Sequence, residues 1–551
     1  MKKLMQKKHL LIGLSLLCFT IALAATNTME PMTTLYGENI GDQFGASIVV
    51  IDFNGDGYDD LVVKAHGWEP PDAPPPPPGT YQPYGKIYYF MGGEDFNSEP
   101  DYEFEGQYPR HLGNGFGDKD FAMINAGDMN GDGIDDLIIP QQHGSGQSTY
   151  LTLSVYFGKE IPTATPDREL IFPHLPDFVT RVDVFPLGDI NGDGLADVSI
   201  WIPLFGKNEK AFIWSDVFGE PELCEAYPIT WINGVGDVNM DGYSDMVKYA
   251  ITGTYDAPQH HFTLYYGDED ITLSDSLLIG TSNVPVDQRP GALGDINGDG
   301  YPDFFAWTDK VWFGGESISF TPSVIIDHSP WPAFDRGVAP SVIKGDVNGD
   351  GYPDLIASYC EIGGNTGEAG VWLGGPNFNG TRDILLQPPQ NYRYRYFGWC
   401  KAAGDFNGDG YCDIAMSAPW FDDGMAWHTE GRVFVFAGNP ELEDTTVGND
   451  DPATPSAAEA WQLNVYPNPG KSGSHEWSVE FSGKSSNADL GELNLCIANL
   501  RGQMVHKQQL SHADLSRGNL QLSIPRLPAG IYLMQIKSGK MAKATKKITI
   551  L

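Results

Sequence analysis

Short apolar runs recur along the chain, separated by Gly, Asn, Asp and Pro. Two kinds alternate. One follows an acidic cluster, as in Leu61-Val62-Val63, Leu137-Ile138-Ile139, Phe304-Phe305-Ala306 and Leu355-Ile356-Ala357. The other carries aromatics and often ends on glycine: Lys86-Ile87-Tyr88-Tyr89-Phe90, Val155-Tyr156-Phe157-Gly158, Leu264-Tyr265-Tyr266-Gly267, Val311-Trp312-Phe313-Gly314, Val371-Trp372-Leu373-Gly374 and Val433-Phe434-Val435-Phe436. Runs this short, rich in β-branched and aromatic residues and bounded by turn formers, predict strands. A further strand-like segment precedes the cluster, as at Ala46-Ser47-Ile48-Val49-Val50.

The acidic cluster is one motif, D-x-N-x-D-G-x-x-D, present seven times and spaced 48 to 76 residues apart. A fixed motif at such a period marks a repeat architecture, one supersecondary unit per copy. A unit of this length built from short strands fits a four-stranded antiparallel sheet, and radial repetition of such sheets makes a β-propeller. The expected fold is all-β: a seven-bladed β-propeller followed by a small C-terminal β-sandwich.

The loop suits a hard cation. Oxygens at positions 1, 3, 5 and 9, with the backbone carbonyl at position 7, can converge on calcium, which takes about six to eight oxygen ligands in flexible geometry. The candidate sets are Asp52, Asn54, Asp56, Tyr58 and Asp60; Asp128, Asn130, Asp132, Ile134 and Asp136; Asp189, Asn191, Asp193, Leu195 and Asp197; Asp237, Asn239, Asp241, Tyr243 and Asp245; Asp295, Asn297, Asp299, Tyr301 and Asp303; Asp346, Asn348, Asp350, Tyr352 and Asp354; and Asp405, Asn407, Asp409, Tyr411 and Asp413. Glycine at position 6, in every copy from Gly57 to Gly410, permits the sharp turn. The fourth copy departs only at position 4, where Met240 replaces glycine; that position is not an expected ligand. A lone copy reads as an acidic turn. Seven copies crowd like charges that are costly without a counter-ion. The expectation is about seven structural calcium ions, one per loop. Magnesium demands a tighter octahedron, and an EF-hand needs a Glu at position 12 and flanking helices.

The units resemble the FG-GAP (VCBS-type) repeat of integrin α-subunit propellers and bacterial relatives. The first has Phe44-Gly45 before its loop, the second Phe116-Gly117 and the last Phe397-Gly398, with Ser417-Ala418-Pro419 near the family's GAP element. The middle units lack the Phe-Gly pair. The resemblance covers roughly residues 30 to 440 and implies that each loop joins the first two strands of a blade and binds calcium.

At the N-terminus, Lys2, Lys3, Lys7 and Lys8 precede the apolar run Leu10 to Leu23 and the small-x-small Ala22-Leu23-Ala24, which reads as a secretory signal over 1–24. Fourteen apolar residues are short for a membrane span, and no other segment is long and apolar enough to cross. The propeller is expected over 25–440 and a polar, acidic linker over 441–460. Charge then reverses: residues 461–551 carry +6, whereas 25–460 carry −49 of a total of −39. This marks a separate domain. Strands are expected at Trp477–Phe481, Leu493–Asn499, Leu520–Ile524, Gly530–Ser538 and Ala542–Ile550. The pieces Val465-Tyr466-Pro467-Asn468-Pro469, Leu500-Arg501-Gly502-Gln503, Leu527-Pro528-Ala529-Gly530-Ile531-Tyr532 and Lys546-Lys547-Ile548-Thr549-Ile550 resemble the type A C-terminal sorting domain of the type IX (Por) secretion system. The resemblance implies the type IX machinery as a partner, and a secreted or outer-membrane cell-surface location.

The acidic balance argues against nucleic acid, which needs basic patches. Five cysteines follow the signal, so at least one thiol is unpaired; Cys400 and Cys412 flank the seventh loop and form a candidate disulfide. No G-x-S-x-G, H-E-x-x-H or phosphate-binding glycine loop is present. The reading therefore favours an exported binding or adhesion module for an extracellular glycan or protein over an enzyme. The alternatives are a propeller-type polysaccharide-degrading hydrolase or lyase and a structural surface-layer component. The proline-rich insert from Trp68 to Pro78 is expected to be extended and exposed. Tyr392 to Trp399 reads as a strand with one aromatic and one cationic face.

Overall fold

The computed structural model describes residue 29 and residues 31–74, 83–107, 122–143, 150–172, 182–202, 210–224, 231–254, 257–282, 290–306, 309–329, 343–360, 367–387, 396–421 and 430–442. Beyond these it describes seven strands within 462–550. The signal, residues 443–460 of the linker, Phe116-Gly117, residues 75–78 of the proline-rich insert and Tyr392–Arg395 lie outside the described residues.

Among the described residues every regular element is a strand. Residues 31–436 form seven antiparallel four-stranded sheets. In six of them the strands lie in chain order. The seventh borrows its fourth strand: Pro31–Tyr36 pairs with Arg432–Phe436, which pairs with Asp413–Ala418 and then Lys401–Gly404. First strands neighbour one another in sequence, and Lys401–Gly404 returns to lie beside Phe44–Ile51. This closed radial order is that of a β-propeller.

Packing explains the sequence pattern. Each sheet has neighbours on both faces, so second strands read as continuous apolar runs rather than alternating ones. Asp60–Ala65, Asp197–Ile202, Asp354–Tyr359 and Asp413–Ala418 are buried at every position. Outer strands face water on one side, and Tyr102–Glu105 alternates half-buried with exposed. The core is a series of inter-sheet layers. Leu61, Val63, Ala402 and Val433 join the first and seventh sheets, and Val347, Ile356, Ile414 and Phe434 join the sixth and seventh. Apart from Ala402, each such side chain contributes about 1.5–3 kcal/mol by leaving water.

The Phe-Gly pair has a packing role. Phe44 and Phe397 are fully buried. Gly45 has φ 85°, and a Cβ there would lie 2.8 Å from the Cβ of Ser417 in the preceding sheet. Gly398 stands in the same relation to Ser358, at 2.6 Å.

Three expectations are corrected. Cys400 and Cys412 are not joined by a disulfide. Cys400 precedes Lys401, which pairs with Met416, whereas Cys412 lies beyond the opposite end, where Gly404 pairs with Asp413. Several strand steps of ~3.3 Å each separate them, and a disulfide needs Cα atoms within about 7 Å. Trp68 is buried rather than exposed: its Nε1 donates to Glu38 at 3.2 Å, and Lys86 lies 5.3 Å from its ring. Tyr396–Gly398 is a turn, not a strand, with Tyr396 at φ 63° packed edge-on against Trp399 and Trp420.

In the C-terminal region, one sheet joins Gln462–Tyr466, Glu476–Ser482 and Asn519–Ser523, and another joins Met504–Gln509, Leu493–Asn499, Gly530–Ser538 and Met541–Ile550. All five expected strands are present, with Gln462–Tyr466 and Met504–Gln509 in addition.

Candidate metal centre

Every acidic loop connects the first strand of a sheet to the second, and position 9 is the first residue of that second strand. Its local form follows from the side chains. The position 6 N–H donates to the position 1 carboxylate at 2.8–3.1 Å. The position 5 N–H donates to the Asn carbonyl oxygen at 2.8–3.2 Å. The position 7 N–H donates to the position 5 carboxylate at 2.8–3.0 Å. These are Asx turns in series, the local bonding that Asp and Asn favour. Position 6 glycines have φ of 88–104°, as the turn requires.

Position 4 carries a constraint that the ligand pattern alone does not reveal. Its glycines also lie in the left-handed region, from 71° at Gly55 and Gly349 to 82° at Gly131, and Met240 is held there at 60°.

Position 9 differs from the other three. Asp60, Asp136, Asp197, Asp245, Asp303, Asp354 and Asp413 have no exposed surface. In Asp60, one oxygen accepts the Phe53 N–H at 3.1 Å and the other the Gly92 N–H at 2.8 Å. Asp136, Asp245, Asp303 and Asp354 repeat this pair. Position 9 thus ties the start of its loop to the glycine after the third strand, as well as closing the acidic set.

The sets bring like charges together. Burial first, and then the carboxylates at positions 1 and 5, push Asp60, Asp136, Asp197, Asp245, Asp303 and Asp413 up to about 7 against the pull of the N–H donors. Asp354 is raised well above the carboxylate range for the same reasons. At position 1, burial raises Asp52, Asp237, Asp295 and Asp405, and takes Asp346 to about 6.

Among the described residues no three His, Cys, Asp or Glu side chains stand in a ready coordination cluster. The loops are closed on themselves: each Asn side-chain amide donates to the position 5 carboxylate at 2.8–3.2 Å. The residues nonetheless fit a cation. Among the described residues, four buried carboxylate oxygens have no hydrogen-bond partner, and all belong to loop positions 1 or 9: Asp197 Oδ1, Asp295 Oδ1, Asp405 Oδ1 and Asp413 Oδ2. A buried, unpaired carboxylate oxygen among other carboxylates is costly unless a positive charge accompanies it. An all-oxygen donor set of this kind suits a hard divalent ion.

His260 and His261 lie on the strand Ala257–Tyr265, hydrogen-bonded to Tyr249 at 2.5 Å and Thr252 at 2.7 Å. No helix among the described residues is long and apolar enough to cross a membrane.

Comparison with known proteins follows the same division. The chain matches the FG-GAP repeat over residues 44–73 and 402–436, and the FG-GAP-like repeat over 295–357. It matches the secretion system C-terminal sorting domain over 464–551. Phosphatidylinositol-glycan-specific phospholipase D of Dictyostelium discoideum is 30% identical over 188 residues, covering 31% of this chain and 19% of that protein. Integrin alpha-PS5 of Drosophila melanogaster is 28% identical over 180 residues, covering 32% and 16%. Human integrin alpha-7 is 27% identical over 223 residues, covering 34% and 18%. The chain therefore spans less than a fifth of the length of these relatives. Among solved structures, an alpha-L-arabinanase of Penicillium chrysogenum aligns at TM-score 0.35 and 12% identity, covering 74% of this chain and 98% of that one. Trypanosoma rangeli sialidase aligns at 0.34 and 8%, covering 94% and 88%. The sorting domain addresses the chain to type IX export, and so to the cell surface or the extracellular space. This chain carries FG-GAP and FG-GAP-like repeats, similar to those of integrin alpha chains, and a secretion system C-terminal sorting domain over residues 464–551.

Proposed function

We propose that the seven loops each hold a structural calcium ion, and that the propeller so stabilised is a surface or secreted binding module for an extracellular glycan or protein. Four unpaired buried carboxylate oxygens, all in the loops, carry the calcium reading. In each set the Asp at positions 1, 5 and 9 would supply carboxylate oxygens, the Asn its amide oxygen and position 7 its carbonyl. Calcium would offset two of the three carboxylate charges of the set and free the Asn amide from its bond to position 5. The likeness of the repeats to integrin alpha chains supports binding as the role.

The test has two parts. Calcium would be counted on the full chain. Asp56→Ala, at an exposed position, should lower the count by one with little change in the calcium-free melt. Asp60→Ala should lower both, because that carboxylate also holds Phe53 and Gly92. A count unchanged by Asp56→Ala would sink the ligand assignment. Calcium-loaded protein would then be incubated with polysaccharides and surface glycoproteins, scoring retention and released fragments together. Retention without fragments supports the binding module; fragments favour the polysaccharide-degrading alternative.

A further inference from the structure

The loops also touch one another around the ring. A Cβ placed on Gly192, at position 4 of the third loop, would lie 2.7 Å from the Tyr243 ring, at position 7 of the fourth. Gly349 meets Tyr411 at 2.6 Å, and Gly298 meets Tyr352 still closer. Gly408 of the seventh loop meets Tyr58 of the first, which closes the circle. The next residue adds a hydrogen bond in the same direction. At position 8, Ala196, Ser244 and Cys412 each donate their N–H to the position 1 carbonyl of the preceding loop, at 2.8, 2.7 and 2.9 Å.

The position 8 N–H and the position 7 carbonyl belong to one planar trans peptide, so they point in opposite directions. With the N–H fixed on the preceding loop, the carbonyl is turned away from that loop. Position 7 therefore touches two loops: its backbone belongs to one and its side chain rests on the other.

We propose that position 7 side chains are positioning residues that couple neighbouring cation sites, so that filling one loop orders the loop before it. The inference rests on the calcium reading above. A wedge that fits only one arrangement of its neighbour gives two sites a shared two-state element, which is the physical requirement for coupling. The joint between the fourth and fifth loops is built differently. Position 4 there is Met240, strained and 59% exposed, rather than glycine.

Tyr243→Ala tests the coupling, since it removes the wedge but keeps the carbonyl. Hydrogen exchange on the full chain would be followed by mass spectrometry at increasing calcium, giving a midpoint of protection for each loop peptide. In the unsubstituted chain every loop should gain protection; if none does, the calcium reading fails and the coupling with it. In the variant, the midpoint for residues 189–197 should rise at least about fivefold, the lower end of typical coupling, while that for 405–413 stays fixed. A rise confined to 237–245, or an equal rise in all loops, would overturn the proposal, because either shows that Tyr243 acts on its own loop or on general stability. Restoring the ring with Tyr243→Phe should return the 189–197 midpoint.

Discussion

Met240 shows how a single side chain can be at odds with its backbone. Six of seven loops place glycine at position 4, and the structure holds that position at positive φ in all seven. The left-handed region costs a non-glycine residue about 1–2 kcal/mol. Met240→Gly relieves this strain but loosens the unfolded chain, which offsets part of the gain. A net stabilisation of about 0.5–1 kcal/mol is expected, read as a higher urea midpoint with unchanged slope; a lower midpoint would show that the Met240 side chain stabilises its surroundings. The position 9 carboxylates make a second prediction at this scale. Their folded values, pushed up to about 7, lie above the ordinary 3.8. The native state therefore binds these protons more tightly than the unfolded chain. Without calcium, their contribution is fully present below about pH 4 and is lost as pH rises through about 7. Calcium needs the ionised form, so the rise in melting temperature on adding calcium should grow across the same window. Melts between about pH 5 and 8, in chelator and in calcium, check both trends. A chelated melt that strengthens steadily toward pH 8 would contradict the burial-driven shift.

At the scale of elements, ring closure rests on one short strand. Pro31–Tyr36 is the outer strand of a sheet whose other members begin at residue 401. Leu35 within it is fully buried against the layer that joins the first and seventh sheets. The junction is reinforced where the Gly93 N–H donates to the Phe406 carbonyl at 2.8 Å and the Asp405 N–H to Asp59 at 2.8 Å. Leu35→Ala leaves a cavity at this seam and should cost about 2–5 kcal/mol. Hydrogen exchange should then rise first in residues 401–404 and 432–436, before the middle sheets. Uniform exchange over all seven sheets would mean that the ring unfolds as one unit and that the seam is no weaker than any other joint.

Across the whole molecule, much of the fold was legible because a short repeat leaves few architectures open. Seven loops gave seven sheets, and the apolar runs after position 9 became the buried second strands. The shared outer strand was not legible, because Pro31–Tyr36 looks like any edge strand until its partner 400 residues away is known. The ligand pattern was visible as spaced carboxylates, yet the double role of position 9 was not, because its partners Phe53 and Gly92 come from separate elements. The wedges at position 7 escaped notice for the same reason: residue types at that position vary among Tyr, Ile and Leu, and their meaning lies in the neighbouring loop. The C-terminal domain was legible through composition, and it yields the prediction at this scale. Residues 461–551 carry +6 against −49 for residues 25–460, a contrast between a domain read by the export machinery and the acidic cargo ahead of it. The propeller's sheets close among themselves, with the N-terminal strand completing the last of them, so no strand from beyond residue 436 is needed to finish the ring. Deleting residues 461–551 should therefore separate export from folding. The shortened chain should accumulate on the inner side of the outer membrane, while its calcium-dependent protease resistance there stays close to that of the full chain. Fractionation with limited proteolysis, in chelator and in calcium, reads both at once. Surface display of the shortened chain would show a second export signal within the propeller, and loss of protease resistance would show that the C-terminal domain also supports the ring.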